Sequence, residues 1–147
     1  MPECDDTCQV LSIGLFDGIA ALRTALDILQ TPVAGHISVE SNPQAHRVVE
    51  ANFPGAELVE DVALVDDEMV TRWSLRYSMV GLVLVGAGPP CQGVSGLNAD
   101  RRGALRDARS VLFQHVPRIV SLCRSRFPWA QVKALIENVW TGTTVPR

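Results

Sequence analysis

Leu82-Val83-Leu84-Val85-Gly86-Ala87-Gly88-Pro89-Pro90-Cys91-Gln92 is the stretch on which the reading of this chain turns. Four aliphatic residues followed by Gly86-Ala87-Gly88 read as a buried strand, Gly81 to Val85, that stops at a turn. The two prolines fix the backbone and remove two amide donors, so the Cys91 thiol is expected on a stiff segment. The carboxyl end of a central strand is where open α/β sheets bind ligands. A lone thiol is more often a buried structural cysteine, but this position favours a nucleophile.

Outward from that strand, the chain alternates short apolar runs with helical periodicity. Val10 to Leu15 reads as a first strand, followed by the turn Phe16-Asp17-Gly18. Ile19, Leu22, Leu26 and Leu29 have the spacing of a helix that Thr31-Pro32 ends. His36 to Val39 is a second strand closed by Glu40. Asn42 and Pro43 start a helix to about Asn52. Glu57 to Val59 is a third strand leading to Asp61-Val62, and Asp66 to Arg76 a helix. The long stretch Gly86 to Asp107 has no periodicity, and loops of that length are usually functional. Ser110 to Arg126 reads as a helix kinked at Pro117, and Lys133 to Ile136 as a fifth strand that delivers Glu137 and Asn138. Strand and helix in alternation predict an α/β fold, a doubly wound, mostly parallel sheet with its last strands missing. The expected organisation is a polar tail over 1–9, one domain over 10–139, and a tail or truncation point over 140–147.

The chain has 147 residues and a formal net charge of −3. No stretch has the roughly 18 uncharged apolar residues of a membrane span, so no membrane association is expected. The acidic start, Met1-Pro2-Glu3-Cys4-Asp5-Asp6, lacks the pattern of a signal peptide. This predicts an intracellular protein, nuclear if its source is a eukaryote. Cys4 and Cys8 have no second Cys/His pair at metal-ligand spacing, and no metal site is expected. Seven arginines (101, 102, 106, 109, 118, 124 and 126) stand against one acid, Asp107, between positions 101 and 126. A basic face beside a nucleophile suits a polyanionic substrate, although a solvated helix face would give the same composition.

Four strand ends carry conspicuous residues. The glycine of Phe16-Asp17-Gly18-Ile19-Ala20 lets backbone amides approach a ligand at a helix N-terminus. Glu40, about twenty residues on, is placed to bind ribose hydroxyls, or to cap the helix beside Asn42. Asp61 is similarly placed for an adenine amino group. Cys91 and Glu137 supply a thiol and a carboxyl group for covalent activation with general-acid help, with Leu135, Ile136 and Val139 expected to give Glu137 an apolar surrounding.

In this order the residues resemble the DNA (cytosine-5)-methyltransferases from about Val10 to Val139. Phe16-Asp17-Gly18 resembles that family's first motif, Glu40 and Asp61-Val62 the second and third, and Gly88-Pro89-Pro90-Cys91-Gln92 with Ser95 the fourth. Asp107 to Phe113 resembles the fifth, and Glu137-Asn138-Val139 the sixth. The resemblance implies a Rossmann-like fold that binds S-adenosylmethionine through Phe16, Asp17, Gly18, Ile19, Glu40, Asp61, Val62, Pro90 and Leu112. It implies that the Cys91 thiolate adds to C6 of a flipped cytosine while Glu137 acts at N3, so that C5 takes the methyl group. Duplex DNA is the implied partner, contacted by Gln92, Ser95, Arg101, Arg102 and Asn138.

Three departures stand out. Ile19-Ala20 replaces a second glycine, Gly81 replaces an aspartate, and the eighth motif with the target-recognition region is absent. The expectation is therefore a fragment, or one half of a split enzyme with a complementing C-terminal half. The alternatives are a truncated, inactive relative that binds without turnover, or a tRNA-methylating enzyme.

Overall fold

The computed structural model describes residues 9–88 and 112–137. It contains β1 (Val10–Leu15), α1 (Ala21–Ile28), β2 (Val33–Val39), α2 (Pro43–Asn52), β3 (Glu57–Val59), a 3-10 turn at Val62–Leu64, and α3 (Asp67–Arg76). There follow β4 (Leu82–Ala87), a second 3-10 turn at Leu112–Gln114, α4 (His115–Arg126) and β5 (Gln131–Ile136). The five strands form one sheet in the order β3-β2-β1-β4-β5, every pair parallel. This is the α/β, doubly wound architecture expected from the sequence. No described helix is long and apolar enough to cross a membrane.

The order explains the two faces. From β1 the chain steps through β2 to β3 in one direction, then returns to β4 and β5 on the other side of β1. Right-handed crossovers therefore put α1 and α2 on one face and α3 and α4 on the other. The α3/α4 face is the core. Leu11, Ile13, Leu15, Ile37, Val39, Val83 and Val85 point into it and meet Val70 and Trp73 of α3, Val116 and Ile119 of α4, and Phe127. Burying a side chain such as Phe127 stabilises the fold by about 1.5–3 kcal/mol. The alternate residues Ser12, Gly14, His36, Ser38 and Gly86 face α1 and α2, by the two-residue period of a strand. That face is small and polar, and α1 lies close to it. A Cβ at Gly86 would stand 2.5 Å from Leu22 Cδ2.

Several boundaries differ from the sequence reading. β4 runs through Gly86-Ala87, which had read as a turn, because Gly86 is needed where α1 crosses and not for a change of direction. β2 and β5 each begin earlier than expected, at Val33 and Gln131. α1 begins at Ala21, because Ala20 adopts a left-handed conformation (φ 63°); Ile19 and Leu29 are exposed. Pro117 does not kink a long helix. It lies in the first turn of α4, where backbone amides have no intrahelical acceptor and a missing N–H costs nothing. The Asn42 start holds as read, its side chain accepting the Gln44 N–H at 2.9 Å; the helix read from Asp66 begins at Asp67, with Asp66 as its cap accepting the Met69 N–H at 2.8 Å.

Candidate functional site

The strand order reverses between β1 and β4, so the carboxyl ends of β1, β2 and β3 on one side and of β4 and β5 on the other border one crevice. The turn from β1 to α1 is its floor. Phe16 (φ 56°) and Ala20 (φ 63°) both adopt left-handed backbone, and Gly18 (φ 57°) lies between them. A non-glycine residue in that region costs roughly 1–2 kcal/mol, so the turn persists only where surrounding bonds hold it. The Asp17 N–H donates to Val39 O at 3.2 Å and the Ala20 N–H to Asp17 O at 3.1 Å. Glu40 Oε2 accepts the Gly18 N–H at 3.0 Å. The Asp17 carboxylate lies 3.0 Å from His36 Nε2, beneath the turn.

Glu40 binds two segments at once. Its other oxygen accepts the Asn42 N–H at 2.9 Å, which is the helix-start role weighed for this acid in the sequence. Asp61 accepts the Ala63 N–H at 2.8 Å and starts the first 3-10 turn. Beside them is a cavity of about 290 Å³ lined by Phe16, Val39, Glu40, Ser41, Glu60, Asp61, Val62 and Leu112. It is close to the lower end of the size range of small-molecule sites, ~300 Å³. Five residues singled out from sequence, Phe16, Glu40, Asp61, Val62 and Leu112, thus come from four separate segments to one cavity. Val39, Ser41 and Glu60 were missed, although Glu60 adjoins the acid that was recognised.

Asp17, Gly18 and Ile19 do not line that cavity. Asp17 turns its carboxylate under the turn, Gly18 contributes its amide to Glu40, and Ile19 is 63% exposed. Pro90, Cys91, Gln92, Ser95, Arg101, Arg102 and Asn138 lie outside the described residues.

A second, mainly apolar concavity of about 340 Å³ opens on the other side of Phe16. Asp17, Leu22, Gly86, Gly88, Leu135 and Glu137 are among its lining residues. The Glu137 N–H donates to Ala87 O at 2.9 Å, continuing the β4–β5 ladder. Its carboxylate oxygen stands 3.7 Å from where a Cβ on Gly88 would be. Glu137 is therefore beside the residue that leads into Pro89-Pro90-Cys91. Of the residues expected to surround it, Leu135 lines the same concavity but is 60% exposed, Ile136 is 46% exposed, and Val139 lies outside the described residues.

The basic stretch is partly spent on structure. Arg118 donates to Val62 O (3.1 Å) and Val65 O, and Arg126 Nε donates to Asp67 at 2.8 Å. That pair holds the Asp67 carboxyl below its ordinary range. The described residues contain no group of three or more His, Cys, Asp or Glu side chains placed to hold a metal.

The model of the C-5 cytosine-specific DNA methylases matches residues 10–139. A curated relative, the type II methyltransferase M1.HphI of Haemophilus parahaemolyticus, is 32% identical over 122 residues, which cover 82% of this chain and 32% of that protein. The chain thus spans about a third of the length of the relative it matches. Among solved structures, the Entamoeba histolytica methyltransferase EhMeth superposes with a TM-score of 0.58 at 21% identity, over 90% of this chain and 39% of that one. The S. pombe Dnmt2 methyltransferase gives 0.57 at 19% identity, over 89% and 35%. At these identities the two structures speak to the fold.

Proposed function

The chain belongs to the C-5 cytosine-specific DNA methylase family, and from that membership we propose that it forms the donor-binding, nucleophile-bearing part of an enzyme methylating C5 of cytosine in DNA. The observation that carries this reading is the convergence of Phe16, Glu40, Asp61, Val62 and Leu112 on one cavity. Their chemistry fits the adenosine part of S-adenosylmethionine. An ionised carboxylate offers about four acceptor sites. Glu40 uses two on backbone amides, which leaves acceptors for ribose hydroxyls. Asp61 uses one oxygen on Ala63 and keeps the other for an amino group. Phe16, Val62 and Leu112 supply apolar walls for a purine. When bound, S-adenosylmethionine supplies an electrophilic methyl group.

The chain's own residues would do the rest. The Cys91 thiolate adds to C6 of a cytosine turned out of the duplex, and the Glu137 carboxyl group places a proton or hydrogen bond on N3 as charge develops in the ring. The electron pair released toward C5 would form the new bond to the methyl carbon as that carbon's bond to the donor's sulfonium sulfur breaks, which leaves S-adenosylhomocysteine. Loss of the C5 proton and departure of Cys91 as thiolate restore the aromatic ring and the free enzyme. Pro90 would stiffen the segment beside the donor, and Gln92, Ser95, Arg101, Arg102 and Asn138 would contact DNA. Target selection falls to further polypeptide, whether in the same chain or in a complementing one.

A duplex carrying 5-fluorocytosine tests this, because fluorine at C5 blocks the proton loss that frees the cysteine. With S-adenosylmethionine and the complementing polypeptide, the expected outcome is a denaturant-stable protein–DNA adduct that Cys91→Ser abolishes. An adduct of equal yield in Cys91→Ser, or one formed only with tRNA, would contradict the reading.

A further inference from the structure

Beneath the β1–α1 turn is a buried chain of polar groups that the mechanism above does not use. His36, 3% exposed, points from β2 to the face that carries α1. Its Nδ1 lies 3.2 Å from Ser12 Oγ on β1, and its Nε2 lies 3.0 Å from Asp17 Oδ2. Both side chains of the His36–Asp17 pair are almost wholly buried, at 2% and 4% exposure. Gly14 makes the room: a Cβ there would overlap the Asp17 carboxylate. The roles are consistent in either charge state of the ring. A neutral imidazole accepts from Ser12 and donates to Asp17; a protonated one donates to both. The ring is also fixed from the side, by an edge contact with Phe53 at 6.1 Å.

We propose that His36 is a positioning residue for the methyl donor, acting through Asp17 on a cavity it does not touch. The inference rests on reading the Phe16–Glu40–Asp61 cavity as the donor site. Asp17 is flanked by Phe16, a cavity wall in left-handed backbone, and by Gly18, whose amide is held by Glu40. The turn is thus clamped from below by Asp17 and His36 and from the side by Glu40. Removing the lower clamp strands a buried carboxylate, which leaves the protein interior by unwinding the turn. Phe16 then departs from the cavity, and the Gly18–Glu40 bond is lost with it.

The test is calorimetric titration of the 147-residue chain with S-adenosylhomocysteine, well below each variant's melting temperature. His36→Phe keeps a ring and removes the donor, and is expected to weaken binding about tenfold or more, as for a buried group left unpaired. His36→Gln, which keeps a donor, and Asp17→Asn, which keeps an acceptor, are expected to stay within about threefold of the parent by the same argument. Because His36 acts through Asp17, Asp17→Ala with His36→Phe should weaken binding no more than Asp17→Ala alone. A merely structural histidine would lower the melting temperature and leave affinity unchanged, which would overturn the proposal; so would additive losses in the double variant. If His36→Phe does not fold, Asp17→Ala against Asp17→Asn carries the same decision. Binding that Glu40→Ala weakens but these variants do not would overturn the role of His36 alone. Absence of binding by the parent chain, or binding indifferent to Glu40→Ala, would overturn the donor site and the inference with it.

Discussion

At Gly14 the missing side chain is what lets Asp17 fold under the turn. Gly14→Ala should therefore destabilise the protein by about 1–3 kcal/mol, the usual cost of overpacking, measured by urea denaturation. Cys123 shows the opposite chemistry to that expected of Cys91. It is wholly buried on α4, and burial pushes its thiol from an ordinary value of 9.0 up to about 12. Neutral thiol is the form that the fold favours. Its contribution is complete below pH about 8.5 and falls as pH rises toward the folded value, by up to about 1.4 kcal/mol per pH unit. Peptide mapping after iodoacetamide at neutral pH should find Cys123 unmodified until the chain is unfolded. Its replacement by Ala should flatten the alkaline loss of stability. Glu40 and Asp61 were legible in the sequence as acids within two residues of a strand end, where each also accepts a backbone amide. His36 was not, because a single histidine inside an apolar run has no spacing partner until the fold brings Ser12 and Asp17 beside it.

At the scale of elements, the start marked by capping chemistry was read correctly at Asn42, since an Asn before a helix satisfies a definite amide, whereas Asp66 was read as the first helical residue and is the cap. Replacing Asn42 by Ala should cost about 1 kcal/mol in thermal or chemical unfolding. Gly86 and Pro117 were misread for one reason. Glycine and proline were taken as punctuation, whereas Gly86 accommodates Leu22 of α1 and Pro117 occupies a first turn that tolerates it. The arginine-rich helix was legible as basic but not as a brace. Arg118 reaches the carbonyls of Val62 and Val65, and so ties α4 to the turn that forms one cavity wall. Arg118→Met keeps the aliphatic stem and should cost about 1–3 kcal/mol by leaving carbonyls unpaired. It should also weaken S-adenosylhomocysteine binding.

For the molecule as a whole, alternation of strand and helix sufficed to give the architecture, because parallel strands need crossovers and crossovers have a fixed hand. The side chains that would complete the chemistry beside β4 belong to segments outside the described residues, and no periodicity in sequence places them. β5 exposes Leu135 and Ile136, and among the described residues its outer edge is unpaired. Such an edge invites association. Ile136→Lys should lower the concentration-dependent association of the isolated chain in sedimentation velocity. The account's central claim is that the cavity at the ends of β1, β2 and β3 holds the methyl donor, and amide chemical-shift mapping with S-adenosylhomocysteine addresses it most directly. Saturable shifts centred on Gly18, Glu40, Val62 and Leu112 are predicted. Shifts centred instead on the concavity around Arg23, Asn52 and Gly55, or no saturable shift at all, would contradict it.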